Sequence, residues 1–127
     1  KIINDYINKH DYIKAFKNLP RVEYLGLLSF VDVMIGNSSS GIIEAPSFGL
    51  RVVNIGTRQR GRERAGNILD VDYDKKAIRE AIHKSLFDKE FKKKIKKCEN
   101  PYYKENSVHN IVKILEEISV TKELLQK

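Results

Sequence analysis

The sequence has few of the residues that build covalent or metal-linked frameworks. It contains one cysteine, Cys98, so an internal disulfide and a zinc site made of several cysteines are both excluded. No apolar segment approaches the roughly 18 residues that a transmembrane helix requires, and no signal-peptide pattern is visible. We therefore expect a soluble protein of a reducing, cytoplasmic compartment, with no membrane partner.

The rest of the composition is that of an ordinary globular protein. Apolar residues make up 41% and charged residues 32% of the 127 residues, which argues against disorder. A chain of this length supports one hydrophobic core. We therefore expect one domain, or one lobe of a larger protein.

Much of the net charge of +7 lies in the segment DKEFKKKIKKCEN, Asp88–Asn100. Phe91 and Ile95 are four residues apart, so they share one face of a helix that the lysines surround. No aromatic residues alternate with the lysines, and no nucleic-acid-binding motif accompanies them. We interpret the segment as a solvated surface helix and expect no nucleic-acid partner.

Short apolar segments alternate with amphipathic ones along the chain. Their patterns predict strands at Tyr12–Phe16, Val31–Ile35, Arg51–Ile55 and Ile68–Val71. Helices are predicted at Lys1–Lys9, Arg21–Phe30, about Asp74–Phe87, about Lys89–Lys97 and about Ser107–Leu125. This alternation predicts an α/β fold, with a Rossmann-like parallel sheet and flanking helices.

The segment IGNSSSGIIEAPSFG, Ile35–Gly49, begins where a predicted strand ends. The ligand crevice of a parallel sheet lies at the carboxyl ends of its strands. A helix start offers unpartnered N–H groups, Ser38, Ser39 and Ser40 add hydroxyl donors, and Gly41 allows close backbone approach. The turn therefore suits a phosphate or diphosphate, although each polar residue is also able to act only as a helix cap.

Glu44 follows this turn within the same short helix. Its carboxylate suits either of two roles: bonding back to free N–H groups of the helix, or accepting from the vicinal diol of a ribose. Pro46 cannot continue the helical hydrogen bonds, so we predict a short or kinked helix that Gly49 ends.

The segment NIGTRQRGRERAGN, Asn54–Asn67, leaves the next strand at the same edge of the sheet. It carries arginines at positions 58, 60, 62 and 64, whose guanidinium groups match phosphate in two-point contacts. A solvated surface role is the ordinary interpretation of each arginine. The position beside the serine turn favours Arg58 for a role in binding.

At this separation the two segments resemble those of the hydrolysing UDP-N-acetylglucosamine 2-epimerases, especially the branch of sialic acid and legionaminic acid synthesis. The resemblance extends from about Leu19 to Ile118. It implies that residues 1–127 are the C-terminal, nucleotide-binding domain of a two-domain GT-B fold. A separate N-terminal domain would then be its partner. We expect the full-length enzyme to be a homo-oligomer and to need no cofactor and no metal.

The resemblance also implies roles for individual residues. Ser38 and Ser39 match diphosphate-binding serines, and Ser40 and Gly41 complete that turn. Glu44 matches the acid that holds the ribose hydroxyls.

Two further positions carry over, and one segment departs from the family pattern. Arg58 matches a nucleotide-contacting arginine. Tyr24 falls where the family has an aromatic residue against the base, although a core tyrosine explains it equally well. Relatives often have YGDG before the last helix, where this chain has NPYYKEN, Asn100–Asn106.

No catalytic residue is expected within this chain. The resemblance implies carboxylates from the N-terminal domain and a histidine from the start of the C-terminal domain, and neither region is present. His10, His83 and His109 have no metal-like partner at helical spacing, so surface or packing roles suit them. Cys98 has no base beside it in the sequence, and we expect an inert thiol.

The expected ligand is a nucleotide sugar, UDP-N-acetylglucosamine or a relative. The implied reaction of the whole enzyme is anti-elimination of the nucleoside diphosphate and then addition of water, which releases a 2-epimerised N-acetyl sugar. A GT-B glycosyltransferase lobe would use the same turn and glutamate, and a stand-alone binding module is a third alternative. The GTRQRGR loop favours the epimerase, and the choice between uridine and guanosine stays open.

Overall fold

Three short strands form a parallel sheet in the computed structural model, which describes residues 2–126. The strands are β1 (Val33–Gly36), β2 (Arg51–Ile55) and β3 (Ile68–Val71), and β2 lies between the other two. The helices are α1 (Ile2–Ile7), α2 (Arg21–Phe30), α3 (Ser40–Ile43), α4 (Lys75–Phe87), α5 (Lys89–Ile95), α6 (Ser107–Glu117) and α7 (Lys122–Leu125), and a 3₁₀ turn covers Ala45–Phe48. The predicted α/β class is confirmed.

The central strand, β2, has the most continuous apolar pattern in the sequence because it is the most buried strand. Val52, Val53 and Asn54 of β2 are buried, because both neighbours and the surrounding helices cover them. The predicted bounds of β2, β3 and α2 are confirmed. The predicted strand at Val31–Ile35 instead begins at Val33 and is only half-buried, since β1 lies at an edge of the described sheet.

Two predictions about secondary structure were wrong. The segment Tyr12–Phe16 is irregular rather than a strand, and Tyr12 and Phe16 are 81% and 66% exposed. No strand of the described sheet pairs with this segment, and a strand needs such a partner for its backbone N–H and C=O groups.

The last predicted helix is divided, because α6 ends at Glu117 and Ile118 is extended. Ile118, Val120 and Thr121 are β-branched, which weakens the helical preference there.

The predicted short helix after the serine turn is confirmed. α3 has one turn, the 3₁₀ turn follows with Pro46 near its start, and Gly49 ends it in the left-handed conformation, with φ of 60°. This segment packs onto the sheet through a core cluster of buried side chains: Leu28, Ala45, Leu50 and Val52. Helices this short are not stable by themselves, so apolar packing holds α3 and the 3₁₀ turn in place.

The two helices that directly follow the sheet, α4 and α5, each begin at an aspartate cap. The Asp74 carboxylate accepts from the Ala77 N–H at 2.8 Å at the start of α4, and Asp88 does the same for Phe91 at 2.9 Å at the start of α5. Phe91 and Ile95 are buried, as the spacing within the lysine-rich segment predicted. Among residues 2–126, no helix has both the length and the apolar character that a bilayer crossing needs.

Candidate functional site

The serine turn lies at the carboxyl end of β1, where the sequence predicted it. Gly36 ends the strand with φ of 144°, a conformation that side chains disfavour, and so turns the chain out of the sheet. The N–H groups of Ser38 and Ser39 donate to no acceptor in the described chain. The Ser38 Oγ accepts from the Ser40 N–H at 3.3 Å. Two backbone donors and two hydroxyls thus lie at the tip of the turn.

α3 has a single turn, so the helix dipole attracts an anion less than a longer helix would. A macrodipole sums over aligned peptide units, so four residues contribute little to it. The N–H groups further along the turn are used internally: Gly41 donates to the Ser38 carbonyl at 3.2 Å and Ile42 donates to that of Ser39 at 2.9 Å. Attraction for an anion must therefore come from the local donors of Ser38 and Ser39.

Ser40 differs from the two serines before it. It is 8% exposed, and its Oγ accepts from the Tyr24 hydroxyl at 2.7 Å. Tyr24 is half-buried against the core cluster that contains Leu28 and Val52. The two hydroxyls bond each other, and both side chains pack within the protein. The base contact of Tyr24 stays a prediction.

Gly41 lies against the sheet rather than at the tip of the turn. A methyl group at its Cα would lie 2.8 Å from Cγ1 of Val52, closer than real Cβ atoms approach. The absence of a side chain therefore lets the turn pack directly on β2. Close packing of this kind is a reason for glycine that does not depend on a ligand.

Glu44 lies one helical turn after Ser40, whose carbonyl accepts its N–H at 3.0 Å. Its side chain is 26% exposed, and its Oε1 lies 3.9 Å from Nη1 of the exposed Arg21. In the described chain it accepts from no N–H of α3, which argues against the capping role. The carboxylate is therefore available to hydroxyl donors of a ligand at this edge of the sheet.

The arginine loop, residues 56–67, leaves β2 beside the serine turn, since Gly36 and Asn54 are neighbours in the register of the sheet. Arg58 is exposed and takes part in none of the salt bridges within residues 2–126. Arg64 is tied down, because its guanidinium pairs with both oxygens of Asp70. Of these two arginines, Arg58 is therefore the one that is free to reach a ligand.

A cleft of about 470 Å³ lies beside this loop. Its walls include the glycines at both ends of the first loop turn and four charged side chains: Gly56, Gly61, Arg60, Arg64, Asp70 and Asp72. It lies at the carboxyl ends of β2 and β3, and its lining includes no residue of the serine turn. The mixture of carboxylates and guanidinium groups suits a polar ligand rather than an apolar one.

Gln59 connects the two loops, and sequence reasoning missed it. Its side chain is 3% exposed, and its Nε2 donates to the Asn37 carbonyl at 2.8 Å. The residues are 22 positions apart. A single amide within an arginine-rich segment carries no periodic or motif signal, so only the fold reveals the contact.

The NPYYKEN segment also reaches the site. The Asn100 Nδ2 donates to the Ile43 carbonyl at 2.9 Å and to the Ser47 Oγ at 2.6 Å. The Tyr102 hydroxyl donates to the Glu63 carbonyl at 3.1 Å. The segment Asn100–Asn106 is therefore hydrogen-bonded to α3, to the 3₁₀ turn and to the arginine loop.

Two histidines contact aromatic rings, whereas His109 is exposed on α6. The His10 ring lies between Tyr6 and Tyr12, with centroid distances of 5.7 and 5.2 Å, and the His83 ring lies 4.8 Å from that of Phe87. The Sγ of Cys98 accepts from the Gly66 N–H at 2.8 Å. Within residues 2–126 no three histidine, cysteine or acidic side chains are grouped so as to hold a metal ion.

Comparison with known proteins assigns this arrangement to a family. The family model described as UDP-N-acetylglucosamine 2-epimerase matches residues 1–116. The chain is 50% identical over 88 residues, 66% of its length, to the UDP-N,N'-diacetylbacillosamine 2-epimerase (hydrolyzing) of Legionella pneumophila, of which it covers 23%. It is 43% identical over 93 residues, 72% of its length, to the GDP/UDP-N,N'-diacetylbacillosamine 2-epimerase (hydrolyzing) of Campylobacter jejuni, again covering 23%.

A third relative is the polysialic acid biosynthesis protein P7 of Escherichia coli, 40% identical over 100 residues, 79% of this chain and 25% of that protein. The chain thus spans about a quarter of the length of the curated relatives it matches. The family model covers most of the chain, including the serine turn, Glu44 and the arginine loop. The chain therefore belongs to the UDP-N-acetylglucosamine 2-epimerase family.

Proposed function

We propose that this chain is the nucleotide-binding lobe of a GT-B enzyme that hydrolyses a sugar nucleotide and inverts C2 of the sugar. The observation that carries the proposal is the set of unpartnered donors of Ser38 and Ser39 at the carboxyl end of β1. The Glu44 carboxylate one turn further supports it, because it has no capping partner in the described helix. Family membership supports the 2-epimerase chemistry.

In the proposed complex the diphosphate accepts hydrogen bonds from the Ser38 and Ser39 N–H and hydroxyl groups. Negative charge develops on the leaving oxygen as the C1–O bond breaks, and fixed donors stabilise that charge without reorganising. The exposed guanidinium of Arg58 adds a charge-assisted contact to the same group. The lobe thereby promotes departure of the diphosphate, while proton transfer at the sugar is the task of groups outside this chain.

The ribose is held by Glu44 in this proposal. Its two oxygens accept from the 2′ and 3′ hydroxyls, and the long contact to the exposed Arg21 is easily given up. The base is not determined by these contacts. The names of two relatives include UDP, and one of them also includes GDP, so both nucleotides belong in any test.

The test is calorimetric titration of UDP, UMP and uridine into the wild-type chain and into the Ser38→Ala, Ser39→Ala double variant, with GDP as a comparison. Each hydroxyl bond to a charged oxygen is worth about 1.5–3 kcal/mol, so the loss should rise with the number of phosphates. Ser40→Ala is the matched control, because its hydroxyl bonds Tyr24 instead. An equal loss for all three uridine ligands would mean that the serines only support the turn.

A GT-B glycosyltransferase lobe would bind the same nucleotide through the same turn. Family membership favours the epimerase. Product analysis of the full-length enzyme separates the two, because free 2-epimerised sugar forms only in the hydrolysing reaction. Transfer of the sugar to an added acceptor without free sugar would favour the transferase.

A further inference from the structure

The side chain of Gln59 has an unusual position for an amide in an arginine-rich surface loop. It is almost completely buried, at 3% exposure. Its Nε2 donates to the Asn37 carbonyl, the residue just before Ser38, at 2.8 Å. The hydrogen bond therefore links the backbone of Asn37 to the residue that directly follows Arg58 in the chain.

The backbone of Gln59 is also held by a hydrogen bond, from Arg64. Its carbonyl accepts from Nη2 of Arg64 at 2.7 Å, and the Arg64 guanidinium also pairs with the Asp70 carboxylate of β3. Asp70 in turn accepts from Nδ2 of Asn54 in β2 at 2.7 Å. A continuous chain of polar contacts thus runs from the sheet through the arginine loop to the serine turn.

We propose that Gln59 is a positioning residue that sets the distance between the serine turn and Arg58. This rests on the proposed function, in which both elements bind one diphosphate. Loops at a sheet edge are held by few apolar contacts, so a buried hydrogen bond between them has a large influence on their spacing. Ligand donors must be fixed within about half an ångström to act together.

The second atom of the amide makes this idea testable. Gln59 Oε1 is buried and has no donor in the described chain. An unpartnered buried acceptor opposes folding, whereas the Nε2 bond favours it. Replacement by the similarly shaped methionine removes both, so the two effects on global stability oppose each other. The link to Asn37 is nevertheless lost.

Asn67 supplies a matched control at the opposite end of the sheet. It is also a buried amide, its Nδ2 donates to the Leu50 carbonyl at 2.8 Å, and its Oδ1 is likewise buried without a partner. Asn67 is the last residue of the arginine loop and precedes the amino end of β3, whereas the serine turn follows the carboxyl end of β1. Asn67→Leu therefore removes the same pair of groups at the other end of the strands. A purely structural role for Gln59 predicts the same behaviour for both variants.

The experiment compares the wild-type chain, Gln59→Met and Asn67→Leu by amide hydrogen exchange without ligand and by calorimetric titration of UDP and uridine. For Gln59→Met we expect faster exchange at Gly41 and Ile42, roughly tenfold weaker UDP binding and a change of less than about twofold for uridine. Asn67→Leu should change neither the exchange of these two amides nor the ratio of the UDP and uridine affinities.

Unchanged exchange at the turn together with an unchanged affinity ratio in Gln59→Met would overturn the proposal. Equal changes in both variants would also overturn it, because the effect would then be global. Failure of the wild-type chain to bind UDP would instead refute the proposed function. The exchange comparison would still decide whether Gln59 holds the serine turn.

Discussion

The polar side chains around the serine turn differ according to what their atoms contact. Ser38 and Ser39 keep donors that no described group accepts, whereas Ser40 and Gln59 are buried and bond Tyr24 and the Asn37 carbonyl. The Ser40 hydroxyl and the Gln59 Nε2 are therefore already bonded within the protein. Of these four residues, only the first two are free to bind a ligand.

Glu44→Gln should weaken UDP binding about tenfold or more and leave the melting temperature nearly unchanged. The amide keeps the shape but loses one charged acceptor, and each such bond is worth roughly 1.5–3 kcal/mol. Stability should hold because the described contact of this carboxylate is a 3.9 Å salt bridge to the exposed Arg21. Calorimetry and thermal unfolding measure the two effects.

Two controls make the Glu44 experiment specific. Arg21→Gln removes the salt-bridge partner and should leave UDP affinity within about twofold of wild type. Titration with 2′-deoxy-UDP removes one hydroxyl, and Glu44→Gln should weaken this ligand less than it weakens UDP. A lowered melting temperature with unchanged affinity would instead make Glu44 a structural residue.

Gly41→Ala should destabilise the chain by about 1–3 kcal/mol, because the added methyl group overlaps the Val52 side chain. The added carbon would lie only 2.8 Å from Cγ1 of Val52, and Val52 belongs to the central strand of the described sheet, which cannot easily move. Urea unfolding of Gly41→Ala, Val52→Ala and the double variant tests this. If the double variant is not more stable than the sum of the single effects predicts, the steric explanation fails.

At the scale of secondary structure, the sequence predicted elements whose surroundings are uniform. β2 is buried on both faces, so its apolar pattern is continuous and its bounds came out correctly. The bounds of α2 also came out correctly, although Leu28 is the one residue of this helix that is buried. Tyr12–Phe16 shows that an alternating pattern without a partner strand is not sufficient. The break after Glu117 shows that local backbone preference interrupts a helical pattern that amphipathicity alone would continue.

The position of the candidate site was also predictable, but the contacts that support it were not. Ser38, Ser39 and Arg58 follow strands that end at one sheet edge, which the topology of parallel sheets dictates. The bonds from Gln59 to Asn37 and from Asn100 to Ile43 join residues that are 22 and 57 positions apart. No local pattern specifies such pairs, because they depend on how the loops meet in three dimensions.

α6 should exchange its amide hydrogens much faster than α4 in the isolated chain. None of its side chains is buried, and an isolated helix of 11 residues is marginal in water. α4 packs on all three strands and buries Ala81 and Ser85. Hydrogen exchange of both helices is measured at two protein concentrations, so that protection of α6 by self-association is recognised. Protection of α6 comparable to that of β2 at the lower concentration would contradict the expectation.

At the scale of the whole molecule, the described chain has the free N–H groups of Ser38 and Ser39 at the carboxyl end of β1, and exposed apolar side chains on several elements that include α1 and α6. Val108, Ile111 and Leu115 of α6 and Ile2 and Ile3 of α1 are exposed. Because the chain spans about a quarter of its curated relatives, the catalytic behaviour of a complete enzyme is a separate property from ligand binding by this part. The two properties should separate experimentally.

The isolated chain should bind UDP but should not release it from UDP-N-acetylglucosamine above the uncatalysed rate. In the proposed function, donors at Ser38 and Ser39 stabilise a departing diphosphate, but elimination also needs a base that removes a sugar proton. The histidines do not supply one at the serine turn, since His10 and His83 pack on aromatic rings and His109 lies on exposed α6. Calorimetry on the same sample would show that it is folded and binds UDP, and a full-length family member serves as the positive control. Release of UDP that Ser39→Ala abolishes would show that the chain carries its own acid–base group.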